Sequence, residues 1–337
     1  MARRTGPGLR TRLRTRLPVV LLALAGVGLL LFPSAGNWFA DRAHARSLSS
    51  YATAVEQVPD TARADLLAQA RAYNDRIGVQ TLTDPYTDVA EVTATAEEYE
   101  EQLRLDGSDT MARIRIPTID VSLPVRHGTS ETVLARGVGH LQGSSLPVGG
   151  EGTNAVLTGH SGLASARLFT DLHELVIGDL VYVDVLGTTL AYEIDLIETV
   201  LPTQTDLLKA QDGADLLTLI TCTPVGVNSH RLIVRAHRVE LPADAATVDE
   251  ATAVPTVPFP WWLVAAGLAV AAGLSMVLVP GRRRRSGRRR PARHRAGPGR
   301  DAAPDRIPAR RLRRRRPSSP FSHSRRVGSR RAPGPRG

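Results

Sequence analysis

The sequence predicts a mainly β domain, closed as a barrel or a sandwich, with helices before it and an apolar segment on either side. Three observations carry this. Short strand-like runs recur between residues 112 and 239, and helical spacing governs the stretch before residue 105. Two runs without a charged residue, Leu17 to Phe32 and Phe259 to Val279, each lie beside an arginine-rich end.

The chain of 337 residues opens with a basic segment, 1–16, holding six arginines and no acid. The apolar segment after it, 17–37, reads as a membrane anchor or a cleaved signal. A helical region, 38–105, follows. Within it Leu66, Leu67, Ala70 and Tyr73 recur at helical spacing behind Pro59-Asp60-Thr61, which signals a helix start. The triplet Asp84-Pro85-Tyr86 breaks the pattern, and helical character returns from Ala94 to Leu105.

After Asp106-Gly107 the character turns to β, and the folded domain is expected over 106–242. Strand-like runs fall at Ala112 to Ile116, Ile119 to Val125, Ala155 to Thr158, Leu180 to Val185, Leu190 to Ile197, Leu216 to Thr221 and Leu232 to Val239. Gly128 to Gly152 is rich in Gly, Ser and Pro and reads as loop. Residues 243–258 read as an extended linker, and 259–280 as a transmembrane helix. Its apolar core of 21 residues is long enough to cross a bilayer, and it opens with Trp261 and Trp262. Residues 281–337, with 22 arginines against Asp301 and Asp305, cannot bury a core and are expected to be a disordered cytoplasmic tail.

The net charge of +10 therefore belongs to the ends, and the stretch between them carries sixteen more acidic than basic residues. That layout argues against a nucleic-acid-binding globule, because such a domain places its basic residues on the folded face, and leaves as a remote alternative a non-enzymatic membrane protein whose arginine tail binds anionic lipid or nucleic acid. Arginine beside both apolar runs predicts that both termini are cytoplasmic and that the acidic body is extracellular, on the cell membrane. Membrane lipids are expected partners on this ground.

Cys222 is the lone cysteine, so no internal disulfide can form, and an exported chain keeping one thiol is read either as keeping it for reactivity or as burying a small hydrophobe. It ends the apolar run Thr218-Leu219-Ile220-Thr221 just before Thr223-Pro224. A short turn then leads to a strand that Arg231 opens, which sets a guanidinium beside the thiol, where it can stabilise an anionic sulfur or an oxyanion. His160 ends another strand-like run inside Thr158-Gly159-His160-Ser161-Gly162 and is one candidate base; His230 is nearer in sequence. No spacing of Cys, His and carboxylates suggests a metal, and no cofactor is implied.

The segments TGHSGLASARLFTDL (158–172) and TLITCTPVGVNSHRLIVRA (218–236) resemble the histidine and TLxTC motifs of sortases, membrane-tethered cysteine transpeptidases of Gram-positive bacteria. The likeness extends through residues 116–157, and Asp84-Pro85-Tyr86 resembles the lid of the pilus-type, class C group, as does a second membrane helix after the domain. The resemblance implies an eight-stranded β-barrel, with Cys222 as nucleophile, His160 as general acid and base, and Arg231 stabilising the bound substrate. It also implies a lid in which Asp84 contacts the arginine and Tyr86 covers the thiol. The implied partners are pilins or surface proteins bearing an LPxTG-like signal and an acceptor amine, from a pilin lysine or from peptidoglycan. Ser161, Ala164 and Val225 depart from the pattern expected in such relatives and bear on selectivity, not on the chemistry.

Overall fold

The computed structural model describes residues 9–78, 82–86, 95–243 and 255–278. The arginine-rich tail, most of the linker and residues 1–8 lie outside these.

Helix α1 (Leu9–Gln57) runs unbroken from the apolar segment into the following region, and Pro18 and Pro33 lie inside it. A single proline forfeits one intrahelical hydrogen bond, a loss that apolar neighbours on both sides can absorb. The helix stops at Val58-Pro59, and α2 (Asp60–Ile77) restarts with an acid in its first turn and Arg76 in its last, both suited to the helix dipole. Leu67, Ala70 and Tyr73 form its buried stripe. A short helix, α3 (Thr95–Glu101), follows. Helix α5 (Trp261–Leu278) closes the described chain, after α4 described below. Both α1 and α5 are long and apolar enough to cross a membrane.

Eight strands close into a barrel in the order β1-β2-β3-β4-β7-β8-β6-β5. They are β1 (Ala112–Ile116), β2 (Val121–His127), β3 (Val138–His140), β4 (Thr153–Thr158), β5 (Leu180–Val185), β6 (Thr188–Val200), β7 (Asp215–Thr223) and β8 (His230–Val239). Two expectations need correction. Gly128 to Gly152 is not all loop, since it carries the four-residue helix α4 (Glu131–Leu134) and strand β3. Ile119 belongs to a 3-10 turn, Pro117–Ile119, and the strand starts two residues later. β3 is only three residues long, too short for an alternation to emerge in the sequence.

Period-two alternation sorts the strand residues between two apolar clusters. Leu157, Leu217, Leu219 and Val234 point into the main core, which also takes Ile114, Ile116, Val125 and Val183. Their neighbours Val156, Ile220 and Ile233 point the other way, into a second cluster with Leu141, Val200, Leu208 and Leu82. Strand β7 is therefore buried along both faces, as its near-continuous apolar run requires.

Candidate active site

The same alternation places the chemistry. Cys222 has the parity of Ile220, Arg231 that of Ile233, and His160 that of Val156, so all three side chains emerge on the face of the second cluster. β7 and β8 pair Cys222 directly with Arg231. β4 and β7 pair in parallel with Thr158 opposite Ile220, so two residues further on His160 comes level with Cys222.

Two glycines let the His160 connection lie this close. A Cβ at Gly159 would meet the Phe169 ring at 2.8 Å. Gly162 has φ of +73°, and a Cβ there would meet Val225 at 2.2 Å. The β4 and β7 ends are further tied by Gly159 N donating to the Ile220 carbonyl at 3.1 Å, Thr221 Oγ1 donating to the Gly159 carbonyl at 2.7 Å, and Ser161 Oγ donating to the Cys222 carbonyl.

The segment 82–86 covers this face. Leu82 is buried in the second cluster, where removing its side chain from water is worth about 2 kcal/mol. Asp84 accepts two hydrogen bonds from Arg231, from Nε at 2.7 Å and from Nη2 at 2.6 Å. That planar fork is the geometry an arginine offers a carboxylate. Tyr86 donates to the Gly159 carbonyl at 2.7 Å, its ring lies 5.8 Å from the His160 ring, and the Arg231 guanidinium sits 4.8 Å from its centroid. The tyrosine is thus packed between the imidazole and the guanidinium.

Cys222 is buried, and desolvation pushes its thiol pKa up; Arg231 opposes this, and the Asp84 carboxylate adds to it. Burial also drives the Tyr86 phenol well above its ordinary value, so it stays protonated and keeps its hydrogen to donate. Desolvation works most strongly on Arg231 and against its charge, but the Asp84 hydrogen bonds together with the negative charge available at Cys222, Asp84 and Tyr86 outweigh it and raise the guanidinium pKa. With the segment seated, the site holds a neutral thiol, and its cation is already engaged by a carboxylate.

Sequence reasoning missed two neighbours. Glu131, on α4, brings Oε2 to 3.4 Å from Nε2 of His160, a nitrogen that makes no hydrogen bond, and forms an ion pair with it when the imidazole is protonated. Ser161 tethers the Cys222 carbonyl. Neither has a signal of its own, since one lies in a stretch read as loop and the other is an ordinary polar residue beside the histidine. His230, the other histidine considered, pairs instead with Thr223 and bonds through Nδ1 to Ser229.

The Sortase domain family matches residues 114–239. Among solved structures, sortase C-1 from Actinomyces oris is 47% identical, covering 53% of this chain and 99% of that one, with a TM-score of 0.51. Sortase C from Streptococcus pneumoniae is 38% identical, over 56% of this chain and 93% of that one, at 0.51. Sortase A of Bacillus anthracis is 32% identical over 130 residues, 39% of this chain; the match spans 60% of that relative's length. With an eight-stranded barrel, the family match and this likeness to sortase C structures, the chain belongs to the sortase family, and class C fits it.

Proposed function

We propose that the chain is an extracellular transpeptidase that cleaves an LPxTG-like sorting signal at Cys222 and transfers the acyl group to an amine, that of a pilin lysine. The observation that carries this reading is the convergence of thiol, imidazole and guanidinium on one face of β4, β7 and β8, beneath a segment that plugs it. The Streptococcus pneumoniae sortase C it resembles is described in terms of pilin substrate specificity, which favours a pilin as donor and acceptor. Two helices apolar enough to cross a membrane, with arginine beside both apolar runs, support a body held outside the cell, where such proteins emerge.

Displacing Asp84 and Tyr86 returns Arg231 to the substrate and removes both the burial and the carboxylate that hold the thiol neutral. Cys222 then gives its proton to His160, the resulting thiolate attacks the peptide carbonyl, and Arg231 stabilises the oxyanion. Collapse of the tetrahedral intermediate breaks the C–N bond, and protonated His160 delivers its proton to the departing amine, leaving a thioester on the sulfur. Neutral His160 next takes a proton from the incoming amine, which attacks the thioester and expels Cys222. Glu131 holds an ion-pair position toward the imidazolium in each half-reaction.

Mass spectrometry after incubation with an LPxTG peptide tests this. The intact chain is expected to carry an acyl adduct on Cys222, Cys222→Ala none, and Arg231→Lys at least a hundredfold less turnover, because lysine keeps the charge but loses the fork. An adduct on Cys222→Ala, or near-normal turnover by Arg231→Lys, overturns the assignment. A peptidoglycan amine accepted in place of pilin lysine would change the acceptor and leave the chemistry intact.

A further inference from the structure

We propose that the barrel end carrying Cys222 rests on the outer leaflet of the bilayer, with the connection Ser161–Phe169 and the exposed apolar pairs Val176–Ile177 and Val225–Val227 against lipid. The inference rests on α1 spanning the membrane, and not on the catalytic roles proposed above.

Contacts along α1 fix which end of the barrel faces the membrane. At Gly36 the helix is so close to the His160 connection that a Cβ would lie 2.7 Å from the Ser165 Cα. Further along the helix, Ser47 Oγ accepts from Arg126 Nη2 at 2.8 Å, and Tyr51 accepts from the Leu186 amide at 2.9 Å. Val55 comes last, and a Cβ on Gly187, in the turn between β5 and β6, would lie 3.7 Å from it. The helix thus runs the length of the barrel, from the end where β4 and β7 finish to the opposite end. Its membrane part continues from the site end.

Depth follows from helix rise. At 1.5 Å per residue, the stretch of α1 from Arg16 to Gly36 spans about 30 Å, the thickness of a hydrocarbon core. Arg16 marks the inner boundary, where it bonds the Met276 carbonyl at the end of α5. The outer boundary is marked by a cluster of Trp38, Phe39 and Trp262, and Trp38 donates to the Pro258 carbonyl at 2.8 Å. Ser165 packs at the level of Gly36, half a turn closer to the membrane than Trp38, and so at headgroup depth.

Surface composition agrees. Large apolar side chains left exposed on the barrel are Val176, Ile177, Leu201, Val225, Val227 and Leu241. Leu241, beyond the end of β8, is at the far end; the other five are at the site end, in the turn leading to β5, just after β6 and in the β7–β8 turn. Apolar exposure gathered at the end from which the membrane part of α1 continues suits a lipid surface rather than water. The first six residues of the connection, Ser161-Gly162-Leu163-Ala164-Ser165-Ala166, are mostly small, and the exposed Arg167 after them can reach a lipid phosphate. Five chain steps separate Ser165 from His160, at most about 17 Å, so the imidazole works within that order of distance from the leaflet.

The test uses the full chain in the Cys222→Ala background, in vesicles of phosphatidylglycerol and phosphatidylethanolamine. A nitrobenzoxadiazole probe is placed in turn at Ala164→Cys, Ile177→Cys, Val227→Cys, Thr188→Cys and Leu29→Cys. Lipids spin-labelled on the headgroup should quench the first three at least threefold more than Thr188→Cys at the far end, and lipids labelled deep in the acyl chain should quench Leu29→Cys. If Leu29→Cys is quenched while Ala164→Cys, Ile177→Cys and Val227→Cys match Thr188→Cys, the barrel stands clear of the bilayer and the proposal fails. Loss of quenching at Leu29→Cys as well removes the spanning helix, and the proposal with it.

Discussion

Two buried arginine–aspartate forks in this molecule have nearly the same geometry and opposite meanings. Arg115 on β1 donates to Asp184 on β5 at 2.7 and 3.0 Å, and Arg231 on β8 donates to Asp84 at 2.7 and 2.6 Å. The first pair joins adjacent strands inside a continuous ladder, and Asp184 also accepts from Thr189 at 2.7 Å. The second joins a strand to a segment 147 residues away, anchored around it by Leu82 and Tyr86. Opening the first exposes a hole in the barrel. Opening the second lets both charges into water and uncovers a thiol. We propose that the first pair is structural and the second regulatory, because nearly identical bonds differ in what else must move when they break.

That contrast can be broken at several points. Asp184→Ala removes the carboxylate fork from a buried guanidinium in the barrel wall and is expected to lower stability by about 3–5 kcal/mol in urea unfolding. A loss under about 1 kcal/mol would mean that the first pair is as dispensable as the second.

A pH effect follows from a third buried site. His140 is fully buried, bonded to Tyr99 Oη at 2.9 Å through Nδ1 and to the Ser145 carbonyl at 2.8 Å through Nε2. Desolvation lowers its pKa to about 4. The unfolded chain, with an ordinary histidine near 6.5, binds the extra proton first, so stability is full above about pH 6.5 and falls as pH drops toward 4. The loss is on the order of 3 kcal/mol. Unfolding at pH 7 and pH 4.5 measures it, and His140→Gln should flatten the difference; an unchanged slope would mean that other groups govern acid sensitivity.

The smallest stability effect belongs to the lid pair. Asp84→Ala should change global stability by less than about 1 kcal/mol, since Arg231 can rehydrate when the segment leaves. A loss as large as that of Asp184→Ala would make the segment part of the fold rather than a removable cover.

Much of this was readable in the residues, and unevenly so. Strands β4 to β8 announce themselves because alternation or a long β-branched run persists for at least six residues, and the turn between Cys222 and Arg231 is short enough to force neighbouring strands. β3 was not readable, because three residues carry no period. The continuity of α1 was not readable either: an apolar stretch and an amphipathic stretch look like two elements, yet nothing between them breaks the backbone. In the site, the facing of Cys222 and Arg231 followed from strand spacing, whereas His160 and the segment 82–86 needed the family likeness. Sequence distance says nothing about which loop returns to cover a sheet. Glu131 and the Tyr99–His140 network depend on side chains meeting across the barrel, which only the closed topology brings about.

We propose that residues 82–86 hold Cys222 neutral and covered, which thiol alkylation across pH can measure. In the Asp84→Ala, Tyr86→Ala double variant, Cys222 is expected to react with iodoacetamide at least tenfold faster than in the unaltered chain. The pH midpoint of that reaction should move downward, because burial and the Asp84 carboxylate raise the thiol pKa while the segment is seated and outweigh the smaller lowering by the Tyr86 hydrogen bond. Equal rates and equal midpoints in the two proteins would contradict the claim and reduce the segment to a turn between helices.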